Sequence, residues 1–296
     1  MTNIVQIGHS NSGNSITWRA LWTLCLFGPC LGSQPVPAAE VPVYDAELLA
    51  RYEAPEARQG VAVDSGFFYV AENASIAKYA RDSGEIVARW SGDIDGPPLI
   101  HLDSLVVYEG RLYAAHSNYP GRPMTSSVEI WDAATLEHVD THSFGIDRGS
   151  FTWLDRHEGS WWGAFANYDK IQKGESVPYG ETDRTQVVRM DDSFSVLEAW
   201  TLPDAVLDRM RPMSNSGGSW GPDGLLYLTG HDRNELYAVR PPRGGSELEW
   251  IATVRAPGME GQGIAFDRAS ADARLWAIIK QDRRVLEIGM PAIREK

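Results

Sequence analysis

Three of the seven histidines in this chain stand where a repeated pattern places loops rather than strands. They are His101, His116 and His231, and Asp103 and Asp232 stand close to two of them. Turns favour Gly, Asn, Asp and Ser over His, so histidines in such loops indicate a functional role in addition to connecting the strands. A histidine polarised by a carboxylate can act as a general base, here on a lactone or an enol.

Acids at equivalent loop positions point to a second chemistry, a divalent metal. Carboxylate and carbonyl oxygens suit Ca²⁺, whereas the three histidines with a carboxylate suit a transition metal. No HExxH motif and no P-loop decides between these possibilities. The candidate metal ligands are Glu72, Asp169, Asp232 and Glu260.

Amide, aromatic and guanidinium groups complete the candidate site. Arg148 joins His101, His116, His231 and Asp103 as a catalytic candidate, because a guanidinium can hold a substrate carboxylate bidentately. Candidate substrate-binding residues share equivalent loops or loop extensions, and they are Gln59, Asn118, Asn167, Asn215, Gln262, Tyr119 and Tyr179.

The elements that carry these loops are five copies of one unit. Each copy has a short apolar strand, a turn, an aromatic-led strand and a third strand, and four copies have a fourth. The aromatic-led strands are residues 67–71, 111–115, 160–164, 225–229 and 274–278. The fifth copy lacks its fourth strand, and residues 48–52 near the other end resemble the fourth strand at 86–90.

This pattern predicts an all-β, five-bladed β-propeller closed by an N-terminal strand that pairs with the end of the chain. Closing the ring leaves no long exposed sheet edge. A β-sandwich with similar hairpins and a six-bladed propeller are the alternatives. The sixth blade would fit between Thr152 and Ser219, which are 219 − 152 = 67 residues apart, but we interpret that interval as one blade with an insertion.

A propeller would bring the candidate residues together at one end of its axis. The first strand of each blade lines the axis, and the loops before it meet the loops that follow the second strands. The latter loops are long in two neighbouring copies, at 118–125 and 168–184, which is typical of a lid or a specificity rim.

The first 39 residues have the pattern of a secretory signal peptide. Arg19 precedes an apolar run at 20–31, which is too short to span a membrane, and small residues follow at 37–39. An unstructured tail is the alternative. We expect a periplasmic or secreted protein in which residues 40–296 form a single propeller domain. Both cysteines, Cys25 and Cys30, would be lost with the peptide, which excludes a thiolate nucleophile.

The charge balance excludes two classes of partner. The chain has 27 Lys and Arg against 40 Asp and Glu, a formal charge of −13. Nucleic acids and anionic membranes both require clustered cations, so we expect neither as a partner. The expected partner is a small polar molecule.

Five stretches resemble a family of exported bacterial propellers that are loosely labelled cycloisomerases. They are residues 95–104, 115–120, 127–132, 213–224 and 261–265. More loosely, the chain resembles lactonase, gluconolactonase and strictosidine-synthase-like propellers, which implies a central metal bound by acid and Asn side chains from different blades. The expected function is lactone hydrolysis or cycloisomerisation of a small polar substrate in the axial pocket. The alternative is a non-catalytic propeller that binds a sugar, a peptide or a protein.

Overall fold

The computed structural model describes residues 40–92, 99–146 and 148–294, and these residues form a five-bladed β-propeller. This confirms the predicted all-β, five-bladed fold over the six-bladed alternative. Residues 1–39, on which the signal-peptide prediction rests, lie outside the described residues, as do residues 93–98.

Each blade is built on four antiparallel strands. In blades I to IV these strands follow one another along the chain from the axis outward, whereas the outer strand of blade V comes from the N-terminal part of the described chain. Blade I contains β3 (Gly60–Val63), β4 (Phe67–Glu72), β5 (Ser75–Ala80) and β6 (Ile86–Ser91). Blade II contains β7 (Leu102–Tyr108), β8 (Arg111–Ser117), β9 (Ser126–Asp132) and β10 (His138–Gly145). Blade III contains β11 (Ser150–His157), β12 (Ser160–Ala166), β13 (Gln186–Met190) and β14 (Val196–Thr201). Blade IV contains β15 (Gly217–Trp220), β16 (Leu226–Thr229), β17 (Glu235–Arg240) and β18 (Glu249–Arg255). Blade V contains β19 (Ala265–Phe266), β20 (Arg274–Ile279), β21 (Arg284–Gly289) and β2 (Glu47–Glu53).

The two ends of the described chain close the ring. Strand β2 pairs antiparallel with β21, placing Leu48 opposite Ile288 and Arg51 opposite Leu286, as the sequence predicts. One further strand was not predicted. Strand β1 (Val43–Asp45) pairs in parallel with β18 at the outer edge of blade IV, so the N-terminal segment joins two neighbouring blades.

Aromatic side chains fill the wedges between neighbouring sheets. Trp153 and Trp162 pack with residues of blade IV, while Phe68 and Trp276 pack with residues across the junction of blades I and V. All four are at most 6% exposed. Burying such a ring contributes roughly 1.5–3 kcal/mol, so these wide rings stabilise the junctions by filling the gap between the splayed sheets.

The first strands form a closed ring around the axis. Strands β3, β7, β11, β15 and β19 pack in that order, and β19 packs against β3. The backbones approach so closely that a Cβ on Gly263 would lie 2.8 Å from the Cα of Gly60 and 2.5 Å from the Oγ of Ser104. Glycine is therefore required where blades I, II and V meet.

Two insertions lie between β11, the first strand of blade III, and β15, the first strand of blade IV. One is the loop after β12, which includes a 3-10 helix at Thr182–Arg184. The other follows β14 and includes α1 (Asp204–Met210), whose Val206, Leu207 and Met210 are buried. Among the described residues, no helix is long and apolar enough to cross a membrane.

Candidate active site at the propeller axis

A cavity of about 610 Å³ lies at the end of the axis where the first strands begin. Two sets of loops form its wall, as the sequence predicts. Residues before or at the start of the first strands are Arg58, Gln59, Ile100, His101, Asp103, Thr152, Met213, Ser216 and Gln262. Residues that follow the second strands are Asn73, Tyr119, Pro120, Tyr168, Lys170, His231 and Lys280.

His101 and Asp103 form the chemical centre of this cavity. His101 directly precedes β7 and Asp103 is its second residue, so alternate residues of an extended segment face the same side. The Nε2 of His101 lies 3.5 Å from the Oδ2 of Asp103, with side chains 16% and 5% exposed. The ring of Tyr119 lies against His101, with 5.1 Å between ring centroids.

Burial shifts the pKa values of these two groups in opposite directions. The pKa of His101 falls to about 4, mainly because burial disfavours the imidazolium and also because His116, His231 and Arg58 lie nearby. Burial raises the pKa of Asp103 well above its ordinary value. Although the distance would allow an ion pair, both pKa shifts favour the neutral forms of the two side chains.

Three further polar residues, Thr152, His231 and Gln262, lie in the wall of the cavity. The hydroxyl of Thr152 is buried and has no hydrogen-bond partner among the described residues. His231 is partly buried, and burial together with Lys280 lowers its pKa. Gln262 adopts a left-handed backbone conformation with φ of 69°, which is uncommon for a residue other than Gly, and its side chain donates a hydrogen bond to the His231 carbonyl at 3.2 Å.

The two long loops form a joined rim beside this cavity. The side-chain amide of Gln172 donates to the Tyr119 hydroxyl at 2.8 Å, and the Met124 backbone donates to the Tyr179 hydroxyl at 3.0 Å. Arg122 donates to the Val177 carbonyl at 2.7 Å. Tyr119 and Tyr179 pack with Tyr168 on a small apolar cluster, so the loops have a core of their own.

Of the sixteen residues predicted for the site, the structure brings six to the cavity wall: Gln59, His101, Asp103, Tyr119, His231 and Gln262. His116 is not among them. It is buried in β8, where its Nδ1 lies 2.9 Å from the Ser127 hydroxyl, and Ser127 donates to Glu129 at 2.6 Å. The Nε2 of His116 is buried without a partner among the described residues.

The predicted amide and guanidinium groups mainly hold the loops. The Asn215 side chain accepts a hydrogen bond from the Trp153 indole at 2.5 Å and donates to two carbonyls. Asn167 donates to the carbonyl of Arg148 at 3.1 Å, and Asn118 braces its own loop. The exposed Arg148 packs its guanidinium over the ring of Phe165, away from the cavity wall.

The four predicted metal ligands each have partners of their own. Glu72 pairs with Arg58 and Arg283, and Asp169 with Arg211. Asp232 pairs with His231 and Lys280, and Glu260 accepts a hydrogen bond from the Gln281 backbone. The described residues include no group of three or more His, Cys, Asp or Glu side chains that could hold a metal ion. These residues do not form a fitting ligand set, and a bound metal remains a prediction that metal analysis of the purified protein would test.

A second cavity of about 300 Å³ lies at the opposite end of the first strands. Its buried carboxylate, Asp155, already contacts Arg268 at 2.5 Å and accepts from the Trp220 backbone at 2.8 Å. Ser219, in the one GxSxG match of the sequence (217–221), donates to Asp155 at 3.1 Å and lies inside β15 rather than on an exposed strand-to-helix turn. These groups serve the fold, so the larger cavity is the better candidate site.

Fold and site together define a five-bladed propeller with a polar axial cavity in which His101 lies beside the buried Asp103. The sequence matches no protein-family model and no curated protein. In structure the chain is similar to glutaminyl cyclase from Myxococcus xanthus, with 15% identity, a TM-score of 0.56, and coverage of 84% of this chain and 97% of that one. It is also similar to the PQQ-bound aldose sugar dehydrogenase from Streptomyces coelicolor, with 13% identity, a TM-score of 0.49, and coverage of 84% and 82%. At these identities the likeness concerns the fold alone.

Proposed function

We propose that this propeller is an enzyme that performs general acid–base chemistry on a small polar substrate in the axial cavity, either lactone hydrolysis or cycloisomerisation. The observation that carries the proposal is the pair formed by His101 and Asp103. Their surroundings shift the two pKa values in opposite directions, and both shifts favour the neutral forms, a base that can accept a proton beside an acid that can give one. That the similar Myxococcus xanthus protein is a glutaminyl cyclase is compatible with an enzyme.

In lactone hydrolysis, the neutral Nε2 of His101 takes a proton from water as the water oxygen adds to the carbonyl carbon. The protonated Asp103 gives its proton to the ring oxygen as the acyl–oxygen bond breaks, and the product is a hydroxy acid. In cycloisomerisation, His101 takes the proton of a substrate hydroxyl as its oxygen adds to a carbon–carbon double bond of the same molecule. Asp103 gives its proton to the other carbon of that bond, so the product has the composition of the substrate.

Either reaction leaves an imidazolium beside a carboxylate. The cycle closes when the proton returns from the Nε2 of His101 to the Oδ2 of Asp103, which lie 3.5 Å apart and must first approach to hydrogen-bond distance. Burial favours this return, since both pKa shifts disfavour the charged pair.

The test is a screen of the purified protein on lactones, hydroxy acids and sugars, with His101→Gln and Asp103→Asn beside it. We expect either substitution to lower kcat/KM by about 10²–10⁴-fold. His142→Gln, on the outer strand β10, is the matched control and should stay within about twofold of the parent protein, since acid–base catalysis requires contact with the substrate.

Turnover that survives in Asp103→Asn would refute the assigned acid. Binding of a panel member without turnover in the parent protein would instead support the alternative that the sequence leaves open, a propeller that binds a sugar, a peptide or a protein.

A further inference from the structure

The charge of the axial cavity differs from that of the protein around it. The chain carries a formal charge of −13 and contains only five lysines. Two of these, Lys170 and Lys280, line the cavity, and Arg58 lines it as well. Among the described residues, Asp103 is the only acid in the same wall, and burial raises its pKa, which favours its neutral form.

These three cations come from three different blades. Arg58 directly precedes the first strand of blade I, Lys170 follows β12 of blade III, and Lys280 follows β20 of blade V. No single strand or turn explains their meeting, because each is carried to the axis by its own sheet. Convergence of separate loops is how a propeller builds a ligand site.

Neighbouring carboxylates pair with these cations only in part. Lys170 has no carboxylate within 4 Å among the described residues. Lys280 lies 3.7 Å from Asp232, which is already held by His231 at 2.5 Å. Glu72 is 3.6 Å from Arg58 and is shared with Arg283 at 3.3 Å. Neither Asp232 nor Glu72 lines the cavity.

We propose that the axial cavity binds a small organic anion through Lys170, Lys280 and Arg58, with a carboxylate or phosphate group of the ligand between them. That this anion is the substrate of the acid–base pair rests on the function proposed above. The neutral Thr152 hydroxyl, buried and without a partner among the described residues, offers the anion a further hydrogen bond.

The experiment is calorimetric titration of the purified protein with succinate, with inorganic phosphate and with succinamide, the uncharged diamide of succinate, at constant ionic strength. We expect one-to-one binding of succinate or of phosphate and none of succinamide, and whichever anion binds tighter identifies the group. The affinity should fall as ionic strength rises, because salt screens partly exposed charges.

Matched variants assign the binding to the cavity. The double variant Lys170→Gln, Lys280→Gln should weaken anion binding about tenfold, as expected for two partly exposed ion pairs. Lys173→Gln removes an exposed lysine of the same loop that does not line the cavity, and it should bind as the parent protein does. Circular dichroism and intrinsic Trp fluorescence verify that the variants remain folded.

No binding of either anion, or equal weakening by Lys173→Gln, would overturn the inference. Because binding is measured without turnover, and can be repeated in Asp103→Asn, this failure is separable from a failure of the proposed function. Anion binding without turnover would refute only the proposed enzymatic function. Turnover of an uncharged substrate without anion binding would refute only the proposed anion site.

Discussion

A buried neutral histidine should make the stability of this protein depend on pH in a way that His101→Gln abolishes. The pKa of His101 is about 4 in the folded protein and 6.5 in the unfolded chain. Below pH 6.5 the unfolded chain therefore binds a proton that the folded protein refuses, and stability is lost as the pH falls toward the folded pKa. Linkage gives a loss of about 0.8 kcal/mol at pH 6 and about 3 kcal/mol at pH 4.

The assay is equilibrium urea unfolding followed by Trp fluorescence at pH 7.5, 6 and 4, which avoids the sequence pI of about 5.0. The comparison is the parent protein against His101→Gln, with His142→Gln as the control for losing an imidazole outside the cavity. The raised pKa of Asp103 has the opposite sign, since its stabilising effect is present at low pH and lost as the pH rises. Because burial alone causes the Asp103 shift, its contribution to stability is present in both proteins and cancels when their free energies of unfolding are subtracted. A difference between the two proteins that stays the same from pH 7.5 to pH 4 would refute the reasoning.

Three further predictions follow from the same geometry. The kcat/KM of an active substrate should fall below about pH 4 as His101 becomes protonated, and again above the raised pKa of Asp103; a profile with its acid limb near pH 6.5 would exclude His101 as the base. Asp103→Asn should raise the melting temperature at pH 7 while it lowers turnover, because an amide avoids the cost of burying a titrating carboxyl; a lower melting temperature would show that the carboxyl stabilises the fold. Gly263→Ala should cost about 1–3 kcal/mol in urea unfolding, since its Cβ would meet backbone; Gly244→Ala, where no atom lies within 4 Å, is the control, and equal stability of the two would contradict the close approach.

The repeat made the architecture predictable. Five aromatic-led strands, each after a short apolar strand, determine the blades, and the likeness of residues 48–52 to 86–90 identifies the strand that closes the ring. Both features can be recognised in a single sequence because hydrophobic alternation and turn residues determine strands and turns locally. Strand β1 has no such signal, since it is three residues long and only its pairing with β18 defines it.

The site was predictable by loop but not by residue. The predicted positions Asn167 and Asp169 flank Tyr168, which lines the cavity together with Lys170. Successive residues of an extended chain point in opposite directions, so an error of one residue exchanges the cavity side of a loop for its outer side. Lys170 was missed for this reason, and Arg148 was assigned the task of holding an anionic group instead.

The roles of His101 and Asp103 required the structure. Their spacing in sequence indicates a histidine beside a carboxylate, which alone suggests an ion pair. Burial reverses that expectation because it disfavours both charges. Likewise, His116 occupies a loop position in the repeat, but β8 extends to Ser117 and buries its side chain next to Ser127.

The most direct measurement of the acid–base pair is an NMR titration of the His101 imidazole and the Asp103 carboxyl in the purified protein, assigned with the Gln and Asn variants. The proposed chemistry predicts an imidazole that remains neutral from pH 7 to pH 5 and titrates near pH 4, beside a carboxyl that is still protonated well above its ordinary range. A His101 that titrates near 6.5, beside an Asp103 that is already ionised at pH 5, would contradict it.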